Sequence, residues 1–199
     1  MAQSMIFPLA LRFKLMAIAS QISVTDAEER LIYYVKQKAF KLKEAVTVYA
    51  DEAQTRPVYR IAADSIFDIS ASYRIEDAGG AEVGTLKRHG MRSFWKVHYE
   101  IFQHGQPAFV VREENPWVKV LDGVLGEIPI LSLAAGYVFH PAYLLSRGEG
   151  QPTLLRVVKR PAMFEGRFHV EAIAPADGPW VDVAVVGLLM MLLIERGRG

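Results

Sequence analysis

The chain has 199 residues, which is the size of one ordinary domain, read here as a single unit over 1–199. Hydrophobic residues make up 51%, aromatics 11% and charged residues 23%, a globular composition that excludes disorder. Lysine and arginine number 23 against 22 acids, so no global charge draws the chain to nucleic acid, and the lack of cysteine excludes disulfides, thiolate metal sites and cysteine nucleophiles. The same lack fits a reducing compartment, hence a cytoplasmic protein.

At the N-terminus an apolar run imitates a signal peptide, but Arg12 and Lys14 fall inside its would-be apolar core. Phe7, Leu9, Leu11, Phe13 and Leu15 alternate with Pro8, Ala10, Arg12, Lys14 and Met16. Period two predicts a strand. The chain then repeats itself. Ser72–Lys87 reads as strand, acidic and glycine turn, strand, and a shift of 26 lands on His98–Arg112, with Tyr73 on Tyr99, Ile75 on Ile101 and Gly79 on Gly105. A shift of 26 the other way carries Asp77 onto Asp51, and another 25 reaches Asp26. Tyr143–Gly150 turns into Thr153–Val158, and Phe164–Ala174 adds one more strand-like run. Strands broken at regular intervals by Asp and Gly turns predict an antiparallel meander of about ten to twelve strands.

One stretch departs from the period. Asn115 then Pro116 reads as an N-cap followed by proline at the first helical position. Trp117, Val120, Leu121, Val124, Leu125 and Ile128 recur at helical spacing, Pro129 ends the pattern, and an apolar run continues to Phe139. This excursion, 115–139, is predicted to be a lid over the fold, with a dimer, protein-partner or membrane contact as the functional alternatives. A single Lys119 against Asp122 and Glu127 on the polar side counts against the membrane.

The chain closes with Val181–Ile194, VDVAVVGLLMMLLI, in which 12 of 14 positions are apolar. A helix apolar all round needs full burial or a membrane. At about 1.5 Å per residue this one reaches roughly 21 Å, short of a hydrocarbon core of about 30 Å. It is predicted as a core helix over 180–196. About twelve strands at about 4.8 Å spacing would close a barrel roughly 24 Å across, too wide for side chains alone and wide enough for a helix. The fold class is therefore mainly β: a closed antiparallel barrel of about twelve strands around a buried hydrophobic C-terminal helix.

This pattern resembles the tubby C-terminal-like superfamily and, within it, the LURP-one-related proteins. The resemblance is carried by Tyr34–Lys43 (YVKQKAFKLK), by Tyr73–Asp77 with Gly80, by Lys87 and Arg88, and by the apolar helix that follows Phe168–Ala172. It implies a twelve-stranded barrel around that helix and no shared catalytic site. Tubby proteins bind phosphoinositides, and phospholipid scramblases are relatives with a calcium segment just before the last helix. Here that place is Pro175–Pro179, where Asp177 and Asp182 are the weak calcium candidates, against the six to eight oxygens calcium takes.

Two basic stretches contain no acid: Lys36, Lys38, Lys41 and Lys43, then Lys87, Arg88, Arg92 and Lys96, with His89 and His98 alongside. Either suits anionic head groups, at about 1 kcal/mol per near-surface cation. The plainer alternative is the solvated outer face of a strand. The five histidines show no HExxH spacing, and neither a GxSxG elbow nor a phosphate-binding glycine loop occurs. The expectation is a non-enzymatic barrel with no cofactor, binding anionic phospholipid or a protein partner at a membrane surface, as a cytoplasmic or peripheral membrane protein. A small apolar ligand between helix and wall, and a scramblase-like span through the C-terminal helix, are the alternatives.

Overall fold

The computed structural model describes residues 5–15, 19–38, 45–64, 71–89, 98–114, 142–160 and 166–197. Twelve strands run in chain order: β1 (Leu9–Leu15), β2 (Ala19–Thr25), β3 (Leu31–Lys38), β4 (Val46–Tyr49), β5 (Pro57–Ala63), β6 (Ser72–Asp77), β7 (Glu82–Arg88), β8 (His98–Gln103), β9 (Gln106–Glu113), β10 (Ala142–Ser146), β11 (Thr153–Arg160) and β12 (Gly166–Ala172). Helix α1 spans Trp180–Arg196. Each strand pairs antiparallel with the next, and β1 pairs with β12, so the meander closes on itself and leaves no edge. Closure is tight in register: Leu9 faces Val170, Leu11 faces Phe168 and Phe13 faces Gly166.

Period two sorts the side chains. On β1, Leu9, Leu11 and Phe13 are buried while Arg12 and Lys14 are exposed. The same alternation buries Ile22 and Val24 on β2, Tyr99 and Ile101 on β8, and Leu155 and Val157 on β11. These inward side chains and α1 form one core. From Val181 to Ile194 every residue of the helix is buried, as a helix enclosed by the wall must be. The apolar tail is thus the filling of the barrel. Among the described residues no helix is long and apolar enough to cross a membrane.

The predicted turns stand where the repeat put them. Asp26, Asp51 and Asp77 each open a hairpin, and His104-Gly105 forms a two-residue loop between Gln103 and Gln106. Both loop residues have positive φ, 49° and 73°, as a type I′ turn requires. The excursion 115–139 lies outside the described residues. Its two ends are nonetheless adjacent, because β9 and β10 pair directly, Tyr143 facing Glu113.

Candidate functional site

Strands β1, β2 and β3 lie side by side and contain no Asp or Glu, reading LALRFKL, ASQISVT and LIYYVKQK. Their outward positions carry the cations. Lys14 faces Gln21, which faces Lys36, so two lysines stand two strands apart on one cross-strand row. At about 4.8 Å per strand that is a separation of about 10 Å at the backbone. A second row runs the other way round the barrel: Arg12 faces Arg167 on β12, which faces Arg160 on β11. Arg12, Lys14, Lys36, Arg160 and Arg167 are all exposed. Like charges directly opposite one another cost stability. Glu171 relieves part of this, reaching Arg160 at 3.4 Å and Arg156 at 3.3 Å. His169 lies within the same face, its pKa held below the ordinary value by burial and then by the positive charge of Arg160.

Of the residues proposed from sequence, Lys36 is exposed on this face and Lys38 ends β3 opposite Ala19. Lys41, Lys43, Arg92 and Lys96 lie outside the described residues, as do Trp117, Val120, Leu121, Val124, Leu125 and Ile128. Lys87 is exposed on β7, its ammonium 4.3 Å from the centre of the Phe102 ring. Arg88 is a different case. Its side chain is only 11% exposed, and its Nε sits 3.7 Å from Glu195 at the end of α1. A guanidinium committed to the helix end is withdrawn from a head-group surface, so Arg88 is a structural residue.

The two calcium candidates separate in the same way. Asp177 is exposed, whereas Asp182 is buried in the first turn of α1 and accepts a short hydrogen bond from the Tyr33 hydroxyl. Burial raises the Asp182 pKa, the Tyr33 bond opposing that shift. Burial, then the Asp182 charge, pushes the Tyr33 hydroxyl up as well. Asp182 thus holds the helix to β3 and does not join Asp177 as a cation ligand. At the opposite end of α1, the Tyr99 hydroxyl donates to Glu195 Oε1 at 2.5 Å. Tyr143 is pushed up to about 12 by burial first, with Glu195 and Glu113 adding to it.

Two features escaped the linear reading. Arg12 and Lys14 read only as the outward half of a strand; the β1–β2–β3 pairing puts Lys14 on a row with Lys36, and ring closure sets Arg12 against Arg167. Along the chain His89 and His98 read as companions of a basic stretch, but their approach to Glu100 is a hairpin contact, with His89 Nε2 at 2.9 Å from Glu100 Oε2.

The family model described as LURP-one-related matches residues 31–123. The chain is similar in fold to an X-ray structure of a protein from Arabidopsis thaliana, with a TM-score of 0.50, 14% identity, and coverage of 96% of this chain and 92% of that one. None of the curated proteins matches it.

Proposed function

We propose that the chain, which matches the LURP-one-related family model over residues 31–123, is a non-enzymatic, tubby-like barrel that docks on anionic phospholipid through the outer face of β1, β2, β3, β11 and β12. The observation that carries this reading is the acid-free run of β1–β3 with Arg12, Lys14 and Lys36 exposed on cross-strand rows. Neighbouring cations gain when an anionic surface meets them, at about 1 kcal/mol each. Solvent ions screen this attraction, because the Debye length falls to about 10 Å at 0.1 M salt and about 3 Å at 1 M. The apolar-ligand alternative has less support where the helix already touches the wall. A Cβ on Gly187 would stand 2.6 Å from Ile101, and one on Gly84 would stand 2.8 Å from Val183.

The test is sedimentation of the full chain with vesicles of phosphatidylcholine alone or with about 30% phosphatidylserine, at low and high salt. Binding is expected only with the anionic lipid and is expected to fall as salt rises. Arg12→Ala with Lys14→Ala removes about 2 kcal/mol, about a 30-fold weakening. Equal binding to neutral vesicles, or none at low salt, defeats the reading.

A further inference from the structure

A second site lies elsewhere on the barrel, at the β7–β8 junction, and is independent of the lipid-facing surface. His98 and Glu100 are alternate residues of β8, so both project to the same face while Tyr99 between them points into the core. His89 directly follows β7, and its backbone N–H donates to the His98 carbonyl at 3.2 Å. The sheet therefore delivers three side chains to one point. His89 Nε2 is 2.9 Å from Glu100 Oε2, and His98 Nε2 is 3.9 Å from Glu100 Oε1. The imidazole rings meet edge to face with centroids 5.2 Å apart. One donor atom from each residue lies within 4.8 Å of the others.

We propose that His89, His98 and Glu100 form a divalent transition-metal site, with zinc as the best-fitting ion. Zinc binds imidazole nitrogen and carboxylate oxygen at about 2.0–2.2 Å, which places tetrahedral ligand atoms about 3.3 Å apart. The observed separations bracket that value, so small side-chain rotations bring the three donors onto one ion. Two imidazoles and one carboxylate leave a fourth position open for water or a partner ligand. The donor set selects the class of ion: imidazole suits zinc, copper, iron and nickel, whereas calcium and magnesium want oxygen. Charges nearby bear on affinity. Arg112 faces His98 across the β8–β9 pair and opposes a cation, whereas the carboxylate of Glu149 favours one. Lys87 faces Glu100 but turns its ammonium onto Phe102.

Calorimetric titration of the full chain, free of any histidine tag, with zinc, nickel, calcium and magnesium tests the assignment. Saturable one-to-one zinc binding is expected, with nickel weaker and no response to calcium or magnesium. His98→Ala, His89→Ala and Glu100→Gln should each weaken zinc about tenfold or more. His169→Ala, on β12 and four strands away from β8, should leave it unchanged. His89 is half-exposed and Glu100→Gln is isosteric, so these two variants decide the matter if His98→Ala does not fold. No saturable zinc binding, binding that survives His89→Ala and Glu100→Gln, or equal loss in His169→Ala overturns the site.

Discussion

Three aspartates build three hairpins with one chemistry. Asp26 Oδ1 accepts the backbone N–H groups of Glu28 and Arg30, both at 3.0 Å. Asp77 Oδ1 accepts those of Gly79 at 2.8 Å and Ala81 at 2.9 Å. Asp51 accepts from Thr55 at 2.9 Å and Arg56 at 2.8 Å. A carboxylate that takes up the turn's own N–H groups substitutes for the ladder bonds lost there. Asp26 and Asp51 are also held below their ordinary pKa, by the Arg30 side chain first at Asp26 and by the Thr55 N–H first at Asp51. The third residue after each aspartate has positive φ: 61° at Glu29, 60° at Gln54 and 84° at Gly80. Only the last is a glycine. A side chain in that region costs about 1–2 kcal/mol, part of which a glycine returns through its freer unfolded state. Gln54→Gly is therefore expected to gain up to about 1 kcal/mol, a rise of about 2–4 °C in Tm by thermal unfolding. Gln54→Ala should bring no such gain, and a loss in the glycine variant would refute the argument.

At the level of elements, helix and wall are matched by contacts at both ends of α1. Between those ends the helix is apolar all round, so packing alone leaves its rotation loosely specified. The Asp182–Tyr33 bond pins the first turn to β3, and Glu195 meets Tyr99 and Arg88 at the last. Asp182 also stands where a negative charge complements the helix N-terminus. Its raised pKa gives a pH dependence with a definite sign. The native state holds the Asp182 proton more tightly than the unfolded chain, so this group's contribution to stability falls as pH rises from the ordinary 3.8 through the raised value. Asp182→Asn keeps an acceptor for Tyr33 and removes that slope. Denaturation at several pH values should show the variant gaining on the parent chain as pH rises. Asp182→Ala removes the Tyr33 hydroxyl's carboxylate partner and should cost about 1–3 kcal/mol at low pH, and less as pH rises. Identical pH profiles for parent and Asn variant would exclude the role given to Asp182. Gly84 serves the same union of helix and wall: a Cβ there would stand 2.9 Å from the Phe102 carbonyl oxygen as well as against Val183.

The whole molecule is a ring, and a ring is stable only when complete. Residues 31–123 contain β3 through β9 but lack β1, β2, β10, β11, β12 and α1. In that piece Tyr33, Ile75, Tyr99 and Ile101 would lose the helix or strands that cover them, and β3 and β9 would become open edges. Expressed alone, it is expected to give a poorly dispersed NMR spectrum and no cooperative melt, whereas the full chain melts cooperatively. A dispersed spectrum from the piece would show that the helix is not required as filling. Closure also creates the basic face, since Arg12 meets Arg167 only where the first strand pairs with the last.

Local chemistry was enough to place much of this protein. The aspartate spacing marks the turns, the two-residue alternation marks which side of each strand is buried, and the apolar run at 181–194 demands enclosure. Each of these depends on residues close together in the chain, so each is readable along it. What depends on register was decided by the tertiary structure alone. Arg12 and Lys14 lie more than twenty residues from Lys36, Asp182 lies 149 from Tyr33, and His89 reaches His98 and Glu100 across a hairpin. Cross-strand pairing and ring closure set those meetings, and a one-residue slip would send every one of these side chains to the other face.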